Sequence, residues 1–195
     1  MDPETEQALV TRLIAGDAGA LAEVHAAFNT RLFTFLVRLS RNRDVAEDLL
    51  EDTWLRVVSR ARALRTNTRL APWLFTIARN RYFSFCRSRL VESSHAAELI
   101  GLWPSGSPRP SPFEAAAASE TERRLEAALA SLPMTYREVL LLVGVEGLTP
   151  ADAATICGVS PETLRQRLHR ARVQLARRLD ASAPIELTAA REATT

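Results

Sequence analysis

The chain has 195 residues, 47% of them hydrophobic and 25% charged, which supplies a buried core and excludes a disordered polyelectrolyte. The formal net charge of +2 does not by itself point to nucleic acid, and every basic residue is arginine. That choice follows either from a GC-rich genome, in keeping with the abundant alanine, or from the fit of guanidinium forks to phosphates and guanine edges.

From Glu4 to Leu90 apolar residues recur at helical spacing, with no alternating runs bounded by turns, so an all-α fold is expected. A first helix covers Pro3 to Ala15. Asp17 then caps a longer one through Leu39, whose Leu21, Val24, His25, Phe28, Leu32, Phe35 and Leu36 form an inward stripe. Asp44 caps the next helix, which runs to about Leu64 and gathers Asp44, Glu47, Asp48, Glu51 and Asp52 at one end. Carboxylates in a first turn favour the helix dipole by about 0.3–1 kcal/mol each, but Glu51 and Asp52 lie beyond that turn. Leu49, Leu50, Trp54 and Val57 of the same helix belong to the core.

The polar stretch Arg65, Thr66, Asn67, Thr68 and Arg69 leads into a helix with Pro72 in its first turn, continuing to about Arg89. It interleaves Trp73, Phe75, Tyr82, Phe83 and Phe85 with Arg79, Arg81, Arg87 and Arg89. Leu74, Ile77, Ala78, Arg81 and Phe85 share one side, whereas Thr76, Arg79, Asn80, Phe83 and Arg87 project elsewhere. Aromatic faces among cations suit unpaired bases, where stacking contributes roughly 1–3 kcal/mol per base. Packing into the core accounts for Trp73 and Phe85.

Between Val91 and Ala118 prolines, serines and glycines break the pattern and mark a linker. Periodicity resumes near Ser119 with an amphipathic helix ending at Pro133 and another from Met134 to about Val145. The segment TPADAATICGVSPETLRQRLHRARVQLARRL then has helix-turn-helix spacing. Thr149 caps its first helix with Pro150 at the first position, Gly158 permits the left-handed turn, and Ser160 caps its second helix with Pro161 following. Leu164, Leu168, Ala171, Leu175 and Leu179 face inward, which turns Glu162, Gln166, His169 and Arg170, flanked by Arg165, Arg167 and Arg172, outward toward a major groove. The end from Ala181 reads as a tail.

The succession LASLP, REVLLLVGVEGLT and ADAATICGVSPETLRQRLHRAR resembles region 4 of the extracytoplasmic-function, or group IV, sigma factors of bacterial RNA polymerase. It is also similar, less closely, to the helix-turn-helix of LuxR-type regulators. Upstream, RDVAEDLLEDTWLRVVSRARAL and APWLFTIARNRYFSFCRSR resemble region 2 of the same sigma family, in the same order and spacing. The resemblance implies region 2 over residues 1–90, a linker over 91–118, region 4 over 119–180 and a tail over 181–195. It implies that Asp44, Glu47, Asp48, Glu51 and Asp52 bind the clamp helices of the polymerase beta-prime subunit. It further implies that Arg65, Thr66, Asn67, Thr68 and Arg69, with Arg79, Asn80, Phe83 and Arg87, take the minus-ten strand. Glu162, Thr163, Arg165, Gln166, Arg167, His169 and Arg170 would then meet the minus-thirty-five duplex. The implied partners are core RNA polymerase (beta-prime clamp helices and beta flap), promoter DNA and an anti-sigma factor, with a stress or envelope signal upstream. One departure is Ser84, where many relatives carry an aspartate.

The rival reading is a conventional dimeric, LuxR-like regulator that binds a palindrome. An enzyme is not expected, because the sequence has no glycine-rich phosphate loop, metal-ligand cluster or nucleophile–base signature, and no cofactor is implied. Cys86 and Cys157 lie in different candidate domains without metal-type spacing and read as buried free thiols. The acidic start MDPETEQALV lacks the layout of a secretory signal, and no apolar run reaches the roughly 18 residues of a bilayer span, so a cytoplasmic protein without membrane insertion is expected.

Overall fold

The computed structural model describes residues 2–92 and 119–181; the linker and tail expected from sequence fall, beyond Glu92 and Ala181, outside the described residues. Among the described residues every regular element is helical.

The first domain comprises α1 (Pro3–Ile14), α2 (Ala18–Ser40), α3 (Arg43–Arg60) with a 3-10 turn over Ala61–Ala63, and α4 (Leu70–Glu92). The Asp17 carboxylate accepts the backbone N–H of Gly19 at 2.7 Å and of Ala20 at 3.3 Å, which satisfies orphan donors at the start of α2. The stripe expected on α2 is buried at Val24, Phe28, Leu32, Phe35 and Leu36. His25 is the exception: it is exposed and stacks, tilted, on the ring of Trp54 at 4.6 Å. The cap of α3 also differs from the expectation. Asn42, not Asp44, accepts the N–H of Val45, at 3.0 Å, so Asp44 sits inside the first turn. Trp54 Nε1 donates to Asn29 Oδ1 at 2.9 Å and ties α3 to α2.

On α4 the fully buried aromatics are Phe75 and Tyr82, with Phe75 edge-on to Phe35 at 5.2 Å. Trp73 and Phe85, expected in the core, are only half-buried. Trp73 lies in the first turn of α4, and Phe85 lines the open groove between α3 and α4, so each keeps part of its ring in solvent.

The second domain comprises α5 (Glu120–Ala130), α6 (Met134–Leu140) running into a π-helical turn at Leu141–Val145, α7 (Pro150–Cys157) and α8 (Pro161–Ala181). Ser119 and Glu122 form a reciprocal capping box at the start of α5. Thr149 accepts the N–H of Asp152 at 3.1 Å and Ser160 that of Thr163 at 3.1 Å, as the sequence leads one to expect. Gly158 ends α7 at φ +65°, a conformation that costs an L side chain roughly 1–2 kcal/mol. Leu164, Leu168 and Ala171 are buried against the preceding helices, and Leu175 and Leu179 are half-buried.

The two domains do not stand apart. α4 packs on α7 and α2 touches α6, and one contiguous apolar core runs through both.

Candidate nucleic-acid and partner surfaces

Three surfaces gather the residues singled out in the sequence. The first is on α3. Asp44, Glu47, Asp48 and Glu51 are exposed, and Asp52 is half-buried against Arg81, which pairs with it from α4. Glu47 takes Arg43 at 3.0 Å. Asp48, Glu51 and Asp52 rim a groove of about 460 Å³ between α3 and α4, whose apolar floor includes Leu55 and Phe85. Leu55 is 63% exposed and Val58 55%, and they add apolar surface to the acidic face of α3. Sequence reading missed both. Helical spacing carried the signal, since Asp48, Asp52 and Leu55 fall at i, i+4 and i+7 on one face.

The second surface is the 65–69 loop with α4. The Thr68 hydroxyl accepts the N–H of Arg65 at 3.2 Å and the Thr68 N–H returns to Arg65 O at 2.9 Å, which closes the loop into a turn. Gln7 donates to the carbonyl of Thr66, and Glu6 accepts the N–H of Leu70 at 2.9 Å, so α1 holds the loop from behind. The side chains of Arg65, Thr66 and Asn67 remain exposed, as do Asn80 and Arg87 on α4. Thr68, half-buried, spends its hydroxyl on the turn. Arg69 and Arg79 are placed otherwise than the sequence suggests: Arg69 pairs with Asp152 of α7 and Arg79 with Glu138 of α6. The Arg79 guanidinium also lies 4.3 Å from the centre of the Phe83 ring.

Around Arg79 the surroundings are dry. Burial pushes the Glu138 carboxyl up from its ordinary range while Arg79 pulls it back. The neighbouring Cys157 thiol is pushed up to about 12, by burial first and then by Glu138, which leaves it protonated and unreactive. Cys86 is half-buried, and burial raises its thiol too.

The third surface is the outer face of α8. Glu162, Arg165, Gln166, His169 and Arg170 are exposed together. Glu162 accepts Arg165 at 2.9 Å and Gln166 at 3.3 Å, and Arg165 holds its carboxyl below the usual range. Thr163 and Arg167 are turned aside. Thr163 shares a 2.8 Å hydrogen bond with Ser160 in the cap, and the charge of the half-buried Arg167 is felt by Glu138. Among the described residues no group of His, Cys, Asp and Glu could hold a metal ion, and no helix is long and apolar enough to cross a membrane.

Residues 25–90 match the family model for sigma-70 region 2, and residues 122–175 that for sigma-70 region 4. The chain is 37% identical to the ECF RNA polymerase sigma factor EcfG of Rhodopseudomonas palustris, over 74% of this chain and 76% of that protein. It is 33% identical to the RNA polymerase sigma factor CarQ of Myxococcus xanthus, over 80% and 86% respectively. Among solved structures it is similar to the sigma factor RpoE of Bartonella quintana, in complex with the anti-sigma factor NepR, with a TM-score of 0.70, 29% identity, and coverage of 83% of this chain and 98% of that one.

Proposed function

This chain belongs to the extracytoplasmic-function sigma factors, and from that premise we propose which of its surfaces perform each step of promoter-specific initiation. A sigma factor binds core RNA polymerase and directs it to promoters, with no bond-making chemistry of its own. The acidic and apolar rim of α3 docks on the beta-prime clamp helices. The 65–69 loop and the exposed side of α4 hold the melted minus-ten strand. The outer face of α8 reads the minus-thirty-five duplex, where Gln166 and Arg170 suit adenine and guanine edges. An anti-sigma factor restrains the chain, as the likeness to an anti-sigma-bound relative suggests, and its place of action is the cytoplasm, where polymerase works.

The observation that carries this reading is a match running through both domains. A LuxR-like regulator would share only the helix-turn-helix, and that rival falls. Polymerase fixes both domains near their sites and raises the effective concentration of each, so neither need bind DNA tightly alone.

The docking assignment is tested by native-gel association with purified core polymerase. Asp48→Arg with Glu51→Arg is expected to abolish the complex while the circular dichroism spectrum stays helical. Undiminished association would contradict the assignment of α3.

A further inference from the structure

The first helix is fastened to the loop assigned to the minus-ten strand, and it precedes residue 25, where the match to sigma-70 region 2 begins. Along α1 the positions i, i+3, i+4 and i+7 that face the core are Glu6, Leu9, Val10 and Leu13. Leu9, Val10 and Leu13 are buried there, and the first place in the stripe is taken by a half-buried carboxylate. An acceptor in that place meets a need of α4. That helix opens at Leu70, after Arg69, whose side chain has donors only and cannot cap it. Pro72 has no N–H to satisfy, and the fully buried Leu70 gives its N–H to Glu6 Oε1 at 2.9 Å. Glu6 thus caps α4 from 64 positions away in the chain. Its neighbour Gln7 donates its side-chain amide to the carbonyl of Thr66. At the start of the same segment the Arg62 guanidinium closes on Gly16, just past α1, where a Cβ would come within 2.9 Å of it. The chain from Arg62 to Leu70 is therefore held at both ends and in its middle by α1 and the turn after it, while Thr66 and Asn67 keep their side chains in solvent.

We propose that Glu6 and Gln7 are positioning residues for promoter melting: neither touches DNA, and together they hold the 65–69 loop in the shape that receives an unpaired minus-ten base. The inference rests on the reading of that loop as the holder of the minus-ten strand. A loop ordered in advance loses less binding free energy to its own ordering, and its affinity for the base scales with the fraction of time it holds the receiving shape. Thr68 closes the turn from within, through the Arg65 N–H that it accepts at 3.2 Å. Glu6 and Gln7 fix where that turn stands against the start of α4.

The test uses the full chain assembled with core polymerase, on a promoter obtained by run-off transcription. The non-template strand is made abasic at one minus-ten position at a time, and the yield with the base divided by the yield without it measures capture at that position. With wild type the ratio is expected to stand well above unity at one position or more. Glu6→Ala with Gln7→Ala is expected to lower it there about tenfold, as it would if the freed loop held the receiving shape about a tenth of the time. A chain that was merely less stable would lose yield on every template and keep its ratios. Glu6→Gln retains an oxygen acceptor and is expected to keep the ratio, whereas Gln7→Glu cannot donate to Thr66 and is expected to lower it. Should the double variant fail to assemble with polymerase, Gln7→Glu, at an exposed position, decides alone. A ratio that Thr66→Ala with Asn67→Ala removes, and that the Glu6 and Gln7 variants leave intact, would overturn the proposal while sparing the loop assignment. Ratios near unity along the whole element in wild type would overturn both.

Discussion

The guanidinium of Arg137 donates to the carbonyls of Leu129, Ala130 and Leu132 around the end of α5, at 3.1, 2.8 and 2.9 Å, and to that of Leu39 near the end of α2, at 3.1 Å. Burial lowers its pKa to about 10, so it stays charged at neutral pH. Replacement by methionine strands the buried carbonyls of Leu39 and Leu132, while that of Leu129 still accepts the N–H of Leu132, and urea unfolding is expected to show a loss of roughly 2–6 kcal/mol, at 1–3 kcal/mol for each group stranded. Asp17 makes a different prediction. Arg12 above all, and then the amides of the α2 cap, hold its carboxyl below the ordinary 3.8. A depressed carboxyl contributes stability that is present above its unfolded value and vanishes as pH falls through its folded one. The gap in melting temperature between wild type and Asp17→Asn is therefore expected at neutral pH, should narrow as pH falls through about 4, and should close once pH is below the depressed folded value; a gap that did not narrow on acidification would be contrary to a charge effect. On α8, Arg170→Ala is expected to cost about 1–3 kcal/mol of base discrimination if the residue reads a guanine edge, measured as run-off yield from matched and single-substituted promoters.

At the scale of the element, the helix-turn-helix was written plainly in the chain because its signals are local. Thr149, Gly158 and Ser160 sit where capping chemistry and a left-handed turn require them, and each does what its residue type is suited to do. A methyl group at Gly158 would meet nothing within 4 Å, so Gly158→Ala isolates the backbone. It is expected to lower stability by roughly 1–2 kcal/mol by thermal unfolding, without altering the packing of α8. Less local features were harder to read. Asn42 outcompetes Asp44 as the cap of α3 because the helix starts earlier than its carboxylate run. On α4 the sequence shows aromatics and arginines together but not which faces are covered, since that depends on α7. Phe75, edge-on to Phe35 of α2, and Tyr82 are buried, while Trp73 and Phe85 stay at the edge.

For the whole molecule, two helical domains and their order could be read from composition and periodicity, since a proline- and serine-rich stretch separates two periodic ones. Their closed packing could not. Arg79 and Glu138 are 59 positions apart and Arg31 and Glu146 are 115 apart, and no local pattern announces pairs so distant. The same gap hid part of the state of the candidate site: Arg69 and Arg79 are legible as residues, but their pairing with Asp152 and Glu138 exists only in three dimensions. The groove on α3 is intermediate, since its carboxylates stand out in the sequence and Leu55 shows only when the helix is wound. Run-off transcription with purified core polymerase on fragments of the source genome, with wild type and with Asp48→Arg/Glu51→Arg, bears most directly on the central claim. Discrete transcripts that require the wild-type chain and disappear with the variant are expected; no product beyond that of core polymerase alone, or products that the variant supports equally well, would contradict it.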